Sequence, residues 1–234
     1  MQQPTGSGHT LKAFDQDIDR LRALISQMGG LAEHAIGEAM RCLVQRDTEG
    51  AQRVVENDKK LDALEIETER RAVQLIALRA PMAGDLRDVV AALKISGVVE
   101  RIGDYAKNIA KRVPLLESAS KIEPMSLLPE MARMATGMVH DVLDAFVERD
   151  AGMAVQVCER DNAVDDFYDS IFRTLLTHMM ENTHNIGQCA HLLFVAKNIE
   201  RVGDHATNIA EMVYYAATGQ HMADTVRTTG ATRA

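Results

Sequence analysis

Apolar side chains recur along this chain with the spacing of helix faces. Ile95, Ile102, Ala106, Ile109 and Val113 follow one another at intervals of seven, four, three and four, which puts all five on one stripe. Val54, Leu61, Thr68 and Leu75 keep a strict period of seven, as do Val157, Val164 and Ile171, followed by Leu175. Val202, Ala206, Ile209 and Val213 repeat the pattern near the C-terminus. The periodicity predicts six helices, at about Thr10 to Arg46, Thr48 to Leu78, Met82 to Val113, Pro129 to Arg149, Asp150 to Asn182 and Thr183 to Thr218. Thr48, Asp150 and Thr183 read as N-caps, Pro129 suits a first helical position, and Gly29-Gly30 is placed to bend the first helix. Composition agrees: 46% of residues are hydrophobic, yet only 4% are aromatic and there is no Trp, which favours an all-α fold over a sandwich or barrel.

Internal repetition is the strongest feature. Glu100-Arg101-Ile102-Gly103-Asp104-Tyr105-Ala106-Lys107-Asn108-Ile109-Ala110 returns as Glu200-Arg201-Val202-Gly203-Asp204-His205-Ala206-Thr207-Asn208-Ile209-Ala210, with eight of eleven positions identical. A second match, shifted by 103 residues, pairs Val54 to Asp58 and Leu61-Asp62 with Val157 to Asp161 and Val164-Asp165, and Arg46-Asp47 with Arg149-Asp150. The chain reads as a duplicated three-helix unit with the joint near Ser118 to Ser126. The expected layout is a flexible N-terminus over 1–12, bundles over 13–118 and 129–218 with a linker over 119–128, and a flexible tail over 219–234.

The repeats carry paired carboxylates one helical turn apart: Asp58 with Asp62, Glu100 with Asp104, Asp161 with Asp165, and Glu200 with Asp204. Glu100 and Asp104 fall on the side of their helix away from the main stripe, and Asp58 and Asp62 flank theirs. Like charges at this spacing repel, so four equivalent pairs call for compensation. Two readings are open. Lys59, Lys60, Arg101, Lys107, Arg160 and Arg201 are placed to form salt bridges on a solvated face. Alternatively, carboxylates with Asn amides from Asn108 and Asn208 suit hard cations. Gly103 and Gly203, each directly before an acid, point to close approach of a neighbouring helix or an ion.

Charge and punctuation narrow the function. With 26 Lys and Arg against 34 Asp and Glu the net charge is −8, which argues against a nucleic-acid binder. Cys42, Cys158 and Cys189 are odd in number and form no C-x-x-C, so they read as small apolar residues in a reducing compartment. The N-terminus has no signal-peptide core, and the longest apolar run is Met212 to Ala217; the expectation is a cytoplasmic protein with only peripheral membrane contact. No G-x-x-x-x-G-K-[ST] loop, G-x-S-x-G elbow or nucleophile with its base is present, which favours an adaptor over an enzyme. A ferritin-like di-metal enzyme needs two Glu-x-x-His elements, and only Glu181 to His184 has that spacing. His140 and His178 lack the neighbouring Lys of a phosphotransfer histidine. His191 lies on a line with Val195, Val202 and Ile209 and reads as a core residue, while His205, which replaces Tyr105, is no shared ligand.

The twice-repeated E-R-x-G-D-x-A-x-N-I-A signature, from Glu100 and from Glu200, resembles that of the PhoU proteins, regulators of phosphate uptake, and the similarity runs from about Phe14 to Ala217. The resemblance implies an all-α fold of two tandem, pseudo-symmetric three-helix bundles, with metal clusters on Asp58, Asp62, Glu100, Asp104, Asp161, Asp165, Glu200 and Asp204 and divalent or trivalent ions such as Fe, Zn, Mn or Mg. It further implies a cytoplasmic, non-enzymatic role in restraining the Pst phosphate transporter and its sensor histidine kinase. Expected partners are therefore the transporter ATPase, the kinase and a second copy in a homodimer, with membrane association only through them. A metal-free helical interaction module is the other reading of the same motifs.

Overall fold

The apolar stripes wind into long helices with almost no other secondary structure. The computed structural model describes residues 7–116 and 122–223. Among these, α1 (Ser7–Gln45), α2 (Thr48–Asn57), α3 (Lys59–Arg79) and α4 (Ala83–Ala110) form the first half, and α5 (Leu128–Glu148), α6 (Ala151–Glu181) and α7 (Ile186–Thr218) the second. α2 and α3 are one rod interrupted at Asp58 alone, so six rods stand where six helices are expected. Short 3-10 turns occupy Pro114–Leu116, Glu123–Leu127 and Thr183–Asn185.

Local chemistry explains most boundaries. Asp150 caps α6 as expected, its Oδ1 accepting from the Gly152 and Met153 amides at 2.8 and 3.0 Å. Asp47, not Thr48, caps α2: its Oδ1 accepts from the Gly50 amide at 2.7 Å, because a carboxylate one residue earlier reaches the third amide of the helix. Asp47 and Asp150 are repeat equivalents, and the arginines before them, Arg46 and Arg149, both take left-handed backbone, with φ of 59° and 58°. Thr183 caps nothing; Asn182 accepts from the His184 amide at 3.0 Å and a 3-10 turn delays α7 to Ile186. Pro129 is the second residue of α5. The stretch expected as a linker is wound from Glu123 to Leu127 and runs straight into α5; its earlier residues, 119–121, lie outside the described residues. Residues 1–6 and 224–234 of the expected flexible termini also lie outside them, whereas α1 already starts at Ser7. His221 of the expected tail stacks on Tyr215 at 4.7 Å between ring centroids.

Each half packs as a three-rod bundle, α1 with α2/α3 and α4, then α5 with α6 and α7. The halves join by α4 against α7 and α1 against α5, and the buried apolar residues form one continuous core. α4 and α7 run antiparallel, since Arg112 lies over the Phe194 ring while Arg87 reaches the Ala216 carbonyl at the other end. α1 runs unbroken through Gly29-Gly30, and Gly29 makes room for Leu143 of α5, into which a Cβ would run. Asp88 of α4, 7% exposed, accepts Arg22 of α1 and Arg149 of the second half, each at 3.3 Å, tying three rods together.

Candidate metal centre

α4 is flanked by α1, α3 and α7, so the side opposite its main stripe lies along a helix seam whose rim stays open to solvent, with the Asp104 side chain 43% exposed there and Asp165 exposed at the matching seam of the second half. Glu100 and Asp104 stand on that seam against Asp58 and Asp62 of the α2/α3 rod, which unites all four first-half acids. α7 presents Glu200 and Asp204 to Asp161 and Asp165 of α6 in the same way. The glycines make the approach possible. A Cβ at Gly103 would collide with Leu61, and one at Gly203 would stand 3.1 Å from Asp161 Oδ1 and 3.5 Å from Val164 Cγ1. The helix approach expected from these glycines is therefore present in both halves.

Concentrated negative charge leaves its mark on the acids. Burial, then Asp104, Glu65, Asp62 and Asp58, pushes the Glu100 carboxyl up to about 7. Burial, then Asp165, Asp204 and Glu200, pushes Asp161 up to about 6. Asp165 is raised as well, by burial first and Glu200 next. Glu65, which stands outside the four i, i+4 pairs, joins the first cluster and is raised mainly by burial, then by Glu69 and Asp62. It sits seven residues after Asp58 and three after Asp62, so helical spacing alone contained the signal; its repeat counterpart is Tyr168.

The halves differ in how charge is balanced. In the first, Lys107 Nζ bonds Asp58 Oδ2 at 2.5 Å and Asp104 Oδ1 at 2.9 Å. In the second, Lys197 bonds only Glu200 Oε1, at 2.5 Å. Of the other basic residues considered for these acids, Arg160 pairs with Asp141 of α5 instead, and Arg101 and Arg201 are exposed. Asp161 Oδ1 and Glu200 Oε2 are buried from solvent without a hydrogen-bond partner. Single carboxylate oxygens of Asp161, Asp165 and Asp204 lie within 4.8 Å of one another, the one such acid or histidine group among the described residues. Clustered oxygens with an orphaned buried acceptor fit a hard cation. The first-half acids, with an ammonium already between two of them, do not fit one in the same way.

The asparagines expected as outer ligands diverge: Asn108 is half-buried, and Asn208 is exposed beside Lys94 and Tyr215 in a separate cleft. His191 is only partly buried, a correction to its core reading, because the buried line of α7 runs one residue on through Leu192, Val195 and Ile199. His205 and Tyr105 meet where α4 and α7 cross, rings edge to face at 5.2 Å and Oη to Nε2 at 3.4 Å. Since each is the other's repeat equivalent, their contact marks the pseudo-two-fold axis.

A family model described as the PhoU domain matches residues 25–113 and 128–213, once in each half. The chain belongs to the PhoU family. It is 55% identical over 227 residues to a phosphate-specific transport system accessory protein PhoU homolog of Zymomonas mobilis, covering 97% of this chain and 96% of that one. A protein of the same description from Caulobacter vibrioides is 48% identical over 92% of this chain and 94% of its own length. Among solved structures, PhoU from Pseudomonas aeruginosa superposes with a TM-score of 0.84 at 33% identity, covering 88% of this chain and all of that chain, 100%. The phosphate transport system regulatory protein PhoU of Streptococcus pneumoniae gives 0.83 at 26% identity, covering 89% and 99%. These relatives are named as accessory or regulatory proteins and not as enzymes.

Proposed function

We propose that this chain is a non-enzymatic accessory protein of phosphate-specific transport that restrains uptake when phosphate is plentiful. The observation that carries the reading is 55% identity across 97% of the chain to a relative described as a phosphate-specific transport system accessory protein PhoU homolog. Paired helical bundles with long continuous faces suit an adaptor between a transporter's cytoplasmic ATPase and a sensor histidine kinase. No described helix is long and apolar enough to cross a membrane. In this reading the protein meets the transporter through its cytoplasmic ATPase, and a homodimer provides two surfaces for that contact. The test is removal of the gene in phosphate-rich medium: phosphate uptake rises several-fold and returns with the wild-type copy, and tagged protein from replete cells retains the transporter ATPase and the kinase. Unchanged uptake with neither partner retained contradicts the role.

The same proposal includes a carboxylate metal site on the second repeat, held by Asp161, Asp165, Glu200 and Asp204. A bound cation there supplies positive charge that offsets the repulsion among these acids. Asp161 and Asp204 bring together α6 and α7, Glu200 is oriented by Lys197, and Gly203 keeps the seam narrow. Elemental analysis of protein purified without chelator is expected to find Fe, Zn, Mn or Mg, lost in Glu200→Ala with Asp204→Ala at unchanged helicity. Equal metal in both proteins removes the site from the reading.

A further inference from the structure

Repeat symmetry sets position 107 against position 207, and the residues there are chemically unlike: lysine and threonine within otherwise matching signatures. The Lys107 ammonium bridges an acid of the α2/α3 joint and an acid of α4, 2.5 Å from Asp58 and 2.9 Å from Asp104. The Asp58 side chain is only 6% exposed, so its charge is satisfied by Lys107 and not by water. Both bonds, together with the local charge of the cluster, favour the ammonium form. Thr207 turns the other way, its hydroxyl donating to the Asp204 carbonyl of its own helix at 2.7 Å. No described cation spans Asp161 and Asp204; Lys197 stops at Glu200, and Asp161 Oδ1 has no partner.

We propose that Lys107 is a built-in counter-cation that occupies, in the first repeat, the place a metal ion takes in the second, so that the two copies of the motif have diverged into a lysine-closed seam and a metal-accepting one. An ion entering the first seam would have to displace an ammonium held by two carboxylates, or lie beside it against charge repulsion. The second seam offers the same acids with a neutral threonine in the lysine's place. Metal content thus reports on one half of the molecule, while the other keeps its helices together whatever the ion supply.

This inference rests on the metal reading above, and the test separates the two. The full chain, freed of metal with chelator and dialysed, is titrated with Mn2+ and in parallel with Zn2+, followed by calorimetry and by the spectroscopic signal of free Mn2+. Wild-type protein is expected to bind, Asp161→Asn with Asp204→Asn to lose at least tenfold in affinity with no residual tight class, and Lys107→Thr to double the bound ion. Lys107→Arg, which keeps the charge, is expected to leave the stoichiometry unchanged. If the Asp161→Asn, Asp204→Asn protein retains half of the wild-type ion, the first seam binds despite Lys107, and this inference falls while the metal reading stands. If wild-type protein binds neither ion, both fall. Should Lys107→Thr not fold, because Asp58 is left without a partner, Lys107→Gln, whose neutral amide can still donate to Asp58, takes its place and is expected to double the bound ion; unchanged stoichiometry in the neutral variant that folds overturns the inference.

Discussion

Two adjacent glycines in α1 do opposite things. Gly30 is exposed with nothing within 4 Å of a would-be Cβ, so Gly30→Ala is expected to raise stability by about 1 kcal/mol through helix propensity. Gly29 is buried against Leu143, and Gly29→Ala is expected to lower stability by about 1–3 kcal/mol through overpacking, despite the same propensity gain. Chemical denaturation of the two variants checks both signs. The pair reads as one helix-bending signal in sequence because both residues weaken a helix equally; only the neighbour across the α1–α5 contact tells them apart. The lysine at 107 belongs to the same class. Its place three residues after Asp104 was legible, but the reach to Asp58, 49 residues away, comes from packing.

At the scale of elements, caps and seams carry the predictions. Asp150→Ala removes the acceptor of two α6 amides and is expected to cost about 1 kcal/mol, whereas Thr183→Ala, at a position that caps no helix, is expected to change stability by less than about 0.5 kcal/mol. Thermal melts in one buffer decide this. The acidic seams make stability depend on pH in a stated direction. Glu100 titrates near 7 in the fold against an ordinary 4.5, and Asp161 near 6 against 3.8. Between those values the folded protein binds more protons than the unfolded chain, so these two groups lower stability as pH rises through the interval. In metal-free protein, Glu100→Gln with Asp161→Asn is expected to gain stability over wild type by an amount that grows from pH 4.5 to 7.5; a gain independent of pH would refute it. The acids themselves stood out in the sequence, since four like-charged pairs at equivalent places are hard to miss. Their shared environment did not: α4 has neighbours on three sides, so a face that looks solvent-directed on one helix turns into a seam.

For the whole molecule, the two halves share one core across α4–α7 and α1–α5. Ile102, Ala106 and Ile109 of the first half and Val202, Ala206 and Ile209 of the second are each 1% exposed or less. Heating is therefore expected to unfold the chain in one transition, with calorimetric and van't Hoff enthalpies equal. A fragment ending at residue 116 is expected to associate or aggregate, because it uncovers the side of α4 that α7 protects. Two separate transitions would show that the halves are autonomous.

Helix content, six rods, twofold repetition, the PhoU resemblance and the identity of the acidic pairs were all legible in the sequence, because each is a local spacing or a motif written twice in one chain. Tertiary structure decided which acids share a seam, which lysine lies between them, that the repeats meet at Tyr105 and His205, and that His191 stands off the core line. Those outcomes depend on how far one helix is rotated toward another and how closely a glycine lets them approach. Spacing along a single helix carries neither quantity.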